Sequence, residues 1–318
     1  MKTSPNIRGI LFISAGIAIF SVQDLILKLL SATYPLSEAM VFRSLTALPF
    51  MLIITRVYDG SLKTLWTPHT AAMLARGLLN FTAYTAYYLA LAALPMPTTV
   101  ALYITAPLII TILAVVVLRE AVSWPRWGGV MAGFVGVVLI IQPGGDLFDW
   151  AALLPIFCAF AYGASMILAR SMGTTSTAAA MAFWGNVAFL LCALALSAWF
   201  GAGNHQSALH PSLAFLTRGW VAPLPFDLVL MSACGLIAAV GLTLLTEGYR
   251  IGQSAVVAPF EFTFIFWGLL WGWLFWGDLP DALGWVGIVL IIGSGLYVLH
   301  REGQEGARMP RANPDPAA

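Results

Sequence analysis

Six ionisable residues lie inside long apolar stretches of this sequence, where charge is least expected. They are three acids and three bases, namely Asp24, Lys28, Arg43, Arg76, Glu247 and Glu261. A charged side chain at the centre of a membrane helix costs ~2.5–3.5 kcal/mol on insertion scales, so none of the six is expected to face lipid. Equal numbers of the two signs favour pairing between helices. The chemistry that these residues offer is ion pairing or proton binding.

The six residues divide by depth into two groups. Asp24, Lys28 and Arg43 fall in the outer third of the first two apolar stretches, and the others fall in the inner third of the third, eighth and ninth. Asp24 and Lys28 are four residues apart, so a helix makes them neighbours. The grouping predicts an outer and an inner gate, each an ion-pair network that breaks when the protein changes conformation. Alternatively, the pairs only hold helices together, and Lys28 extends its ammonium to the surface.

A stripe of polar and aromatic residues follows the third apolar stretch. Arg76, Asn80, Tyr84 and Tyr87 or Tyr88 recur at intervals of three or four, which places them on one helix face. Such a face is expected to line a cavity, where aromatic walls, an arginine and an acid would suit an amphipathic zwitterion. The alternative is hydrogen bonding between helices alone. The candidate cavity residues are Asn80, Tyr84, Tyr88, Tyr103, Tyr162, Trp184 and Trp267.

Ten apolar stretches account for most of the 318 residues, of which 60% are hydrophobic and 9% charged. A membrane span needs ~20 apolar residues. Pro107 and Pro259 lie in the fourth and ninth stretches and are candidate hinges, because proline removes a backbone hydrogen bond. The pattern predicts an all-α membrane protein with ten transmembrane helices, at about 8–30, 36–57, 69–92, 98–118, 124–142, 149–170, 176–200, 225–249, 254–276 and 281–300.

Basic residues lie almost all on one side when the loops are assigned alternately to the two faces. Of the 15 Lys and Arg, three lie within spans and only Arg218 falls outside. The positive-inside rule therefore places both termini in the cytoplasm. The tail at 303–318 is rich in Gly, Pro, Ala and charge, and it is expected to be disordered and cytoplasmic.

The chain contains two related halves. A shift of 158 residues aligns the third to fifth spans with the eighth to tenth, so that Gly77 meets Gly235 and Thr105 meets Thr263. Residues 8–142 and 149–302 are therefore predicted to be five-helix repeats. Because five is odd, the second repeat is inverted, and inverted repeats are typical of secondary transporters with a midplane site. This favours alternating access around a central cavity over a passive channel.

An acid closes the fourth span of each half and is followed by a glycine-rich span. The segments are Leu118-Arg119-Glu120 and Trp276-Gly277-Asp278. On these features residues 8–302 resemble the drug/metabolite transporter superfamily, in its branch with two EamA-type repeats. The resemblance implies export of small metabolites or drugs across the bacterial inner membrane. In the abundance of its mid-span aromatic residues, the chain looks most like the aromatic amino-acid exporters of this superfamily. The resemblance therefore makes aromatic amino acids the favoured substrates.

Other functions stay open as alternatives. A drug exporter, or an antiporter for phosphorylated metabolites or nucleotide sugars, would share the architecture. A membrane-embedded enzyme acting on lipid would need an acid–base cluster, for which Glu247 and Glu261 are the candidates. No Walker loop, metal-ligand spacing or basic patch occurs, so no cofactor, metal or nucleic acid is expected. The expected partners are a small-molecule substrate and the bilayer, and the expected assembly is a monomer or weak homodimer.

Overall fold

A computed structural model describes residues 5–118, 124–142, 149–171, 177–206, 209–251 and 258–308. Regular structure in these ranges is entirely helical, which confirms the all-α fold class. The α-helices are α1 (Pro5–Leu30), α2 (Leu36–Tyr58), α3 (Thr70–Ala93), α4 (Met96–Tyr103), α5 (Ala106–Leu118), α6 (Trp124–Ile141), α7 (Leu153–Ser171), α8 (Ala178–Phe200), α9 (Pro211–Thr217), α10 (Pro225–Ile251), α11 (Thr263–Trp276) and α12 (Ala282–Arg308). Short 3-10 turns cover Leu62–Leu65, Trp150–Ala152 and Ala258–Phe262.

The last helix extends further than the sequence predicted. Helix α12 continues to Arg308 and so includes the beginning of the segment 303–318 that was expected to be disordered. Residues 309–318 lie outside the described part of the chain.

Four helices in the described ranges are long and apolar enough to cross a membrane by length and composition. They cover Ile7–Leu30, Leu36–Tyr58, Ala179–Phe200 and Pro225–Leu245. Many of their large apolar side chains are exposed, as expected of helices that meet lipid. The fold is that of a helical membrane protein, and the count of ten spans stays a prediction. Shorter apolar helices cover Trp127–Ile141, Trp150–Ser165, Phe260–Trp276 and Ala282–Tyr297.

Two of the predicted spans are interrupted near their candidate hinge prolines. The fourth divides into α4 and α5, and in the described part of the ninth the 3-10 turn Ala258–Phe262 precedes α11. Pro107 has no N–H to offer the carbonyl of Tyr103, and α4 ends at that residue. Pro259 lies within the 3-10 turn. The side chains of both prolines lie outside the described part, and bending at these breaks stays a prediction.

Helix pairing is reciprocal between the two halves of the chain. The contact between α1 and α10 corresponds to the contact between α7 and α3. In the same way, the contact between α2 and α10 corresponds to the contact between α8 and α3. Helix α5 packs against α7 as α11 packs against α1. Three further pairs, α2 with α8, α4 with α11 and α6 with α12, join elements of corresponding position. Each of these contacts therefore has a counterpart when the halves are exchanged.

Glycines set the closest approaches between helices. A Cβ on Gly77 of α3 would lie 2.9 Å from the Cα of Gly185 in α8. One on Gly235 of α10 would lie 2.5 Å from the carbonyl oxygen of Arg43 in α2. These positions leave no space for a side chain, which is the usual reason for small residues between membrane helices.

Replacing Gly77 or Gly235 with alanine is expected to destabilise the fold, because the added methyl would collide with the backbone of the facing helix. Overpacking of this kind costs about 1–3 kcal/mol, which would appear as a lower midpoint of thermal unfolding in detergent. Gly293→Ala is the matched control, since a Cβ there meets nothing within 4 Å. Equal midpoints for the three variants would contradict the packing.

Candidate functional site

A cavity lies where the two helix breaks meet the middle of α1, α3, α7 and α10. Water-sized molecules have about 90 Å³ of free volume in it, and the cavity is partly open to its surroundings. Aliphatic and phenylalanine side chains form much of its surface. Among the described residues that line it there is no lysine or arginine. Its acidic and phenolic groups are those of Asp24, Tyr84, Tyr87, Tyr103, Tyr162 and Glu261.

Tyr103 is the centre of an aromatic wall in this cavity. Its ring centroid lies 5.5 Å from that of Tyr87, 6.0 Å from that of Tyr162 and 5.8 Å from that of Phe264. These tilted and edge-to-face contacts are the arrangements that aromatic quadrupoles favour. Within the described part of the chain the hydroxyls of Tyr84, Tyr103 and Tyr162 make no hydrogen bond, so they are available to a ligand.

Asp24 is the buried acid of the cavity. Its side chain lines the cavity although the residue is only 4% exposed. The Tyr87 hydroxyl donates a hydrogen bond to its Oδ2 at 3.1 Å. The phenol of Tyr88 adds a second, longer interaction. The Tyr87 hydroxyl thus gives a polar partner to a carboxyl group that has been removed from water.

Arg43 lies behind the cavity and does not pair with Asp24. It is 2% exposed, and its Nε donates to Oε1 of Gln23 at 3.0 Å. Its guanidinium lies 4.7 Å from the ring centroid of Phe189 and 5.6 Å from that of Tyr84. Hydrogen bonding and cation–π contact therefore replace the predicted ion pair, which is absent within 4 Å among the described residues.

Lys28 joins α1 to the end of α3. Its Nζ donates to the carbonyl oxygens of Leu91 at 2.8 Å and Leu94 at 2.7 Å, and it lies 5.1 Å from the Trp276 ring. The ammonium therefore caps the C-terminal end of α3, where helix carbonyls lack partners and favour positive charge. No ion pair within 4 Å joins Lys28, Asp24 and Arg43, since each has a nearer neutral partner, and a role of the three residues in gating stays a prediction.

Of the three charged residues predicted near the inner face, Arg76, Glu247 and Glu261, only Glu261 lines the cavity. Glu261 lines it and acts electrostatically on Tyr162. Arg76 is half-buried in α3, close enough to Tyr84 and Tyr162 to interact with both, and its Nε has no hydrogen-bond partner in the described part. Glu247 is half-buried in α10. Pairing within this group stays a prediction.

Three of the seven predicted cavity residues line the cavity, and four do not. Asn80 and Tyr88 lie on α3 outside the lining, and Tyr88 accepts a hydrogen bond from Gln23. Trp184 donates from its Nε1 to the Leu65 carbonyl at 2.8 Å, on the loop after α2. Trp267 stacks against Trp271 on α11, outside the lining. Depth in a span, the reason for choosing the two tryptophans, does not fix the direction of a side chain.

Several lining residues were missed by the sequence reasoning. The stripe on α3 permitted either Tyr87 or Tyr88, and the structure places Tyr87 at the cavity. Phe262 and Phe264 follow the ninth-span break, and Cys158 lies on α7. Because an irregular turn shifts the helical period, periodicity along the ninth span could not predict which way Phe262 and Phe264 face. The nearby proline was the only sequence signal for them.

The apolar helices and the enclosed aromatic cavity are those of a membrane transporter for small molecules. Residues 7–142 match the EamA-like transporter family. The chain is 30% identical over 294 residues to a riboflavin transporter from Rhizobium johnstonii, a match that covers 91% of this chain and 89% of the relative. The chain therefore belongs to the EamA-like transporter family.

Other similar proteins are also named as transporters. An S-adenosylmethionine uptake transporter from Rickettsia conorii is 24% identical over 89% of both chains. A pseudopaline exporter from Pseudomonas aeruginosa is 23% identical over 89% of this chain and 93% of its own. A solved crystal structure with 16% identity and a TM-score of 0.64 covers 98% of this chain and 100% of its own, which shows a shared fold.

Lys28→Met is expected to lower stability rather than to abolish transport, because it leaves two carbonyls at the end of α3 without a donor. Loss of a buried, charge-assisted hydrogen bond costs about 1.5–3 kcal/mol. Thermal unfolding in detergent and transport per folded molecule should be measured together, with Lys28→Arg as the charge-retaining control. A Met variant of normal stability that fails to transport would point to a gating role instead.

Proposed function

We propose that this chain is a ten-span secondary transporter of the bacterial inner membrane, built from two inverted five-helix repeats. It moves a small planar aromatic solute by alternating access through the cavity. The observation that carries the proposal is the cavity itself, which has a tyrosine wall and lies at both helix breaks. A site between two halves is the arrangement expected of inverted-repeat transporters.

Three features support the inverted repeats. Helix contacts recur when the halves are exchanged. The shift of 158 residues aligns Gly77 with Gly235, and each allows the close approach of a facing helix. The same shift aligns Thr105, in the break between α4 and α5, with Thr263, where α11 begins. Sequence, packing and backbone thus agree on one offset.

An outer latch joins the loop 201–224 to the turn between α1 and α2. Arg218 donates to the carbonyl oxygens of Ser31 at 3.0 Å and Tyr34 at 3.2 Å. The Tyr34 hydroxyl in turn donates to Oδ2 of Asp227 at 2.6 Å, and this hydrogen bond raises the pKa of Tyr34. These bonds tie the two halves together on the proposed external face.

An inner latch joins the loop 59–69 to the start of α8. Thr177 donates from Oγ1 to Oδ2 of Asp59 at 2.8 Å, and Trp184 donates to the Leu65 carbonyl at 2.8 Å. This latch lies on the proposed cytoplasmic face. Alternating access requires one latch to open while the other stays closed.

Aromatic contacts relate the two latches. Phe42 of α2 meets Trp220 of the outer loop with ring centroids 5.9 Å apart, and Trp184 of α8 meets Trp66 of the inner loop at 6.1 Å. A shift of 142 residues places Phe42 on Trp184. Phe42 and Trp184 are thus at equivalent positions in the two halves, and each contacts a tryptophan of the loop at its own face of the membrane. An inverted repeat is expected to have such paired contacts.

The cavity lining favours a flat aromatic solute over a phosphorylated one. Phosphate recognition uses converging basic groups, and the described lining offers aromatic faces and two acids instead. Riboflavin, named for the Rhizobium johnstonii relative, is flat and aromatic and is our first candidate. Aromatic amino acids are the second, because Arg76 lies near Tyr84 and Tyr162 and offers a partner for a carboxylate.

The test is solute movement by the purified protein in liposomes, with riboflavin and tryptophan assayed in both directions. Wild type is expected to move at least one of them saturably. Tyr103→Ala should reduce that movement by about tenfold, because it removes the central ring of the wall. Phe157→Ala is the control, since Phe157 is half-exposed on the outward side of α7. Movement of neither solute by wild type would overturn the proposal.

Topology offers an independent test of the inverted repeats. Cysteine at Trp66 and cysteine at Trp220 replace exposed rings on the inner and outer loops. An impermeant maleimide is expected to label Trp220→Cys in intact cells and Trp66→Cys only after permeabilisation. The unmodified chain, with Cys158 and Cys234 buried and Cys192 half-buried, provides the background reaction. Labelling of both variants from one side would exclude the inverted arrangement.

A further inference from the structure

The side-chain oxygens of Asp24 accept fewer hydrogen bonds from the protein than they could. One hydrogen bond within 3.5 Å reaches its carboxylate, from Tyr87, and no ion pair to it occurs among the described residues. The oxygens of a carboxyl group keep acceptor capacity whether or not the group is protonated. Since Asp24 lines the cavity at 4% exposure, the remaining capacity is accessible from the cavity rather than from bulk water.

Gln23 keeps the nearest cation away from this carboxylate. Its Oε1 accepts from Arg43 Nε at 3.0 Å, while its Nε2 donates to the Tyr88 hydroxyl. Arg43 is held in addition against the ring of Phe189. The guanidinium is therefore satisfied behind the cavity wall, and the acid faces the cavity without a countercharge in contact.

We propose that Asp24 selects the transported solute by accepting a hydrogen bond from a ring N–H at the edge of a planar heteroaromatic ring. The inference rests on the proposed function and names the solute class for the same cavity: neutral rings in which the N–H adjoins a carbonyl, as in a cyclic imide. The unpartnered hydroxyls of Tyr84, Tyr103 and Tyr162 supply donors for such carbonyls, and the tyrosine rings pack against the flat faces.

This arrangement rejects flat solutes that lack the N–H. Such a solute leaves a buried carboxyl oxygen without a hydrogen-bond donor, and sites built around a hydrogen bond discriminate strongly against such analogues. Selectivity therefore comes from one acid, while the aromatic walls accept many flat rings.

The test compares riboflavin, whose ring carries an imide N–H, with 3-methylriboflavin, in which a methyl group replaces that hydrogen. Wild type in liposomes is expected to bind and move riboflavin at least about tenfold better than the methylated probe. Asp24→Leu, which removes both acceptor oxygens at similar volume, should weaken riboflavin binding by about tenfold and reduce the ratio between the probes toward one. Asp281→Asn, a change to an exposed acid outside the cavity, should alter neither value.

The outcomes separate this inference from the proposed function. If wild type moves riboflavin but treats both probes alike, or if Asp24→Leu keeps full discrimination, the role of Asp24 is overturned and the transporter proposal stands. Movement of tryptophan without riboflavin has the same consequence. Movement of no aromatic solute overturns both. The comparison of probes on wild type needs no variant, so a failure of Asp24→Leu to fold would leave the inference testable.

Discussion

The cost of separating charge from water is the constraint on which the rest of this structure depends. Lys28, Arg43 and Asp24 all lie in the helical core, and each contacts a neutral hydrogen-bonding partner instead of an opposite charge. A neutral partner satisfies a directional bond without the desolvation of a second ion. These bonds also join elements: Lys28 and Gln23 on α1 reach α3, and Arg43 on α2 reaches α1. Charge burial therefore orders the first half of the bundle.

The same constraint explains why the helix breaks lie at the cavity. Irregular backbone leaves N–H and C=O groups without helical partners, and at membrane depth these are tolerated only inside protein or beside a cavity. The break after Tyr103 and the turn Ala258–Phe262 both contribute lining residues. Cavity and discontinuity therefore coincide, and each break lies beside a proline.

Close packing of the helices around the cavity depends on glycines, which have no side chain. Gly77 and Gly235 allow backbone to approach backbone, and Gly136 and Gly287 do the same where α6 meets α12. Such contacts give stability without hydrophobic driving force, which is weak between helices in lipid. They leave the polar groups of α1, α3 and α7 free to face inward, where three tyrosines and one acid from these helices meet Tyr103 and Glu261 at the two helix breaks.

The sequence by itself determined the helical membrane class, the polar face of α3, the proline-marked interruptions and the family resemblance, because each depends on local composition or on periodicity along one helix. Only the tertiary structure decided which polar groups meet. Tyr87 and Tyr88 are adjacent, but one residue rotates a side chain by ~100° around a helix axis, so one faces the cavity and the other faces Gln23. The partner of Lys28 is a pair of carbonyls more than sixty residues away. Hydrogen bonds act over about 3 Å, and such distances between helices are set by packing, which no one-dimensional pattern records.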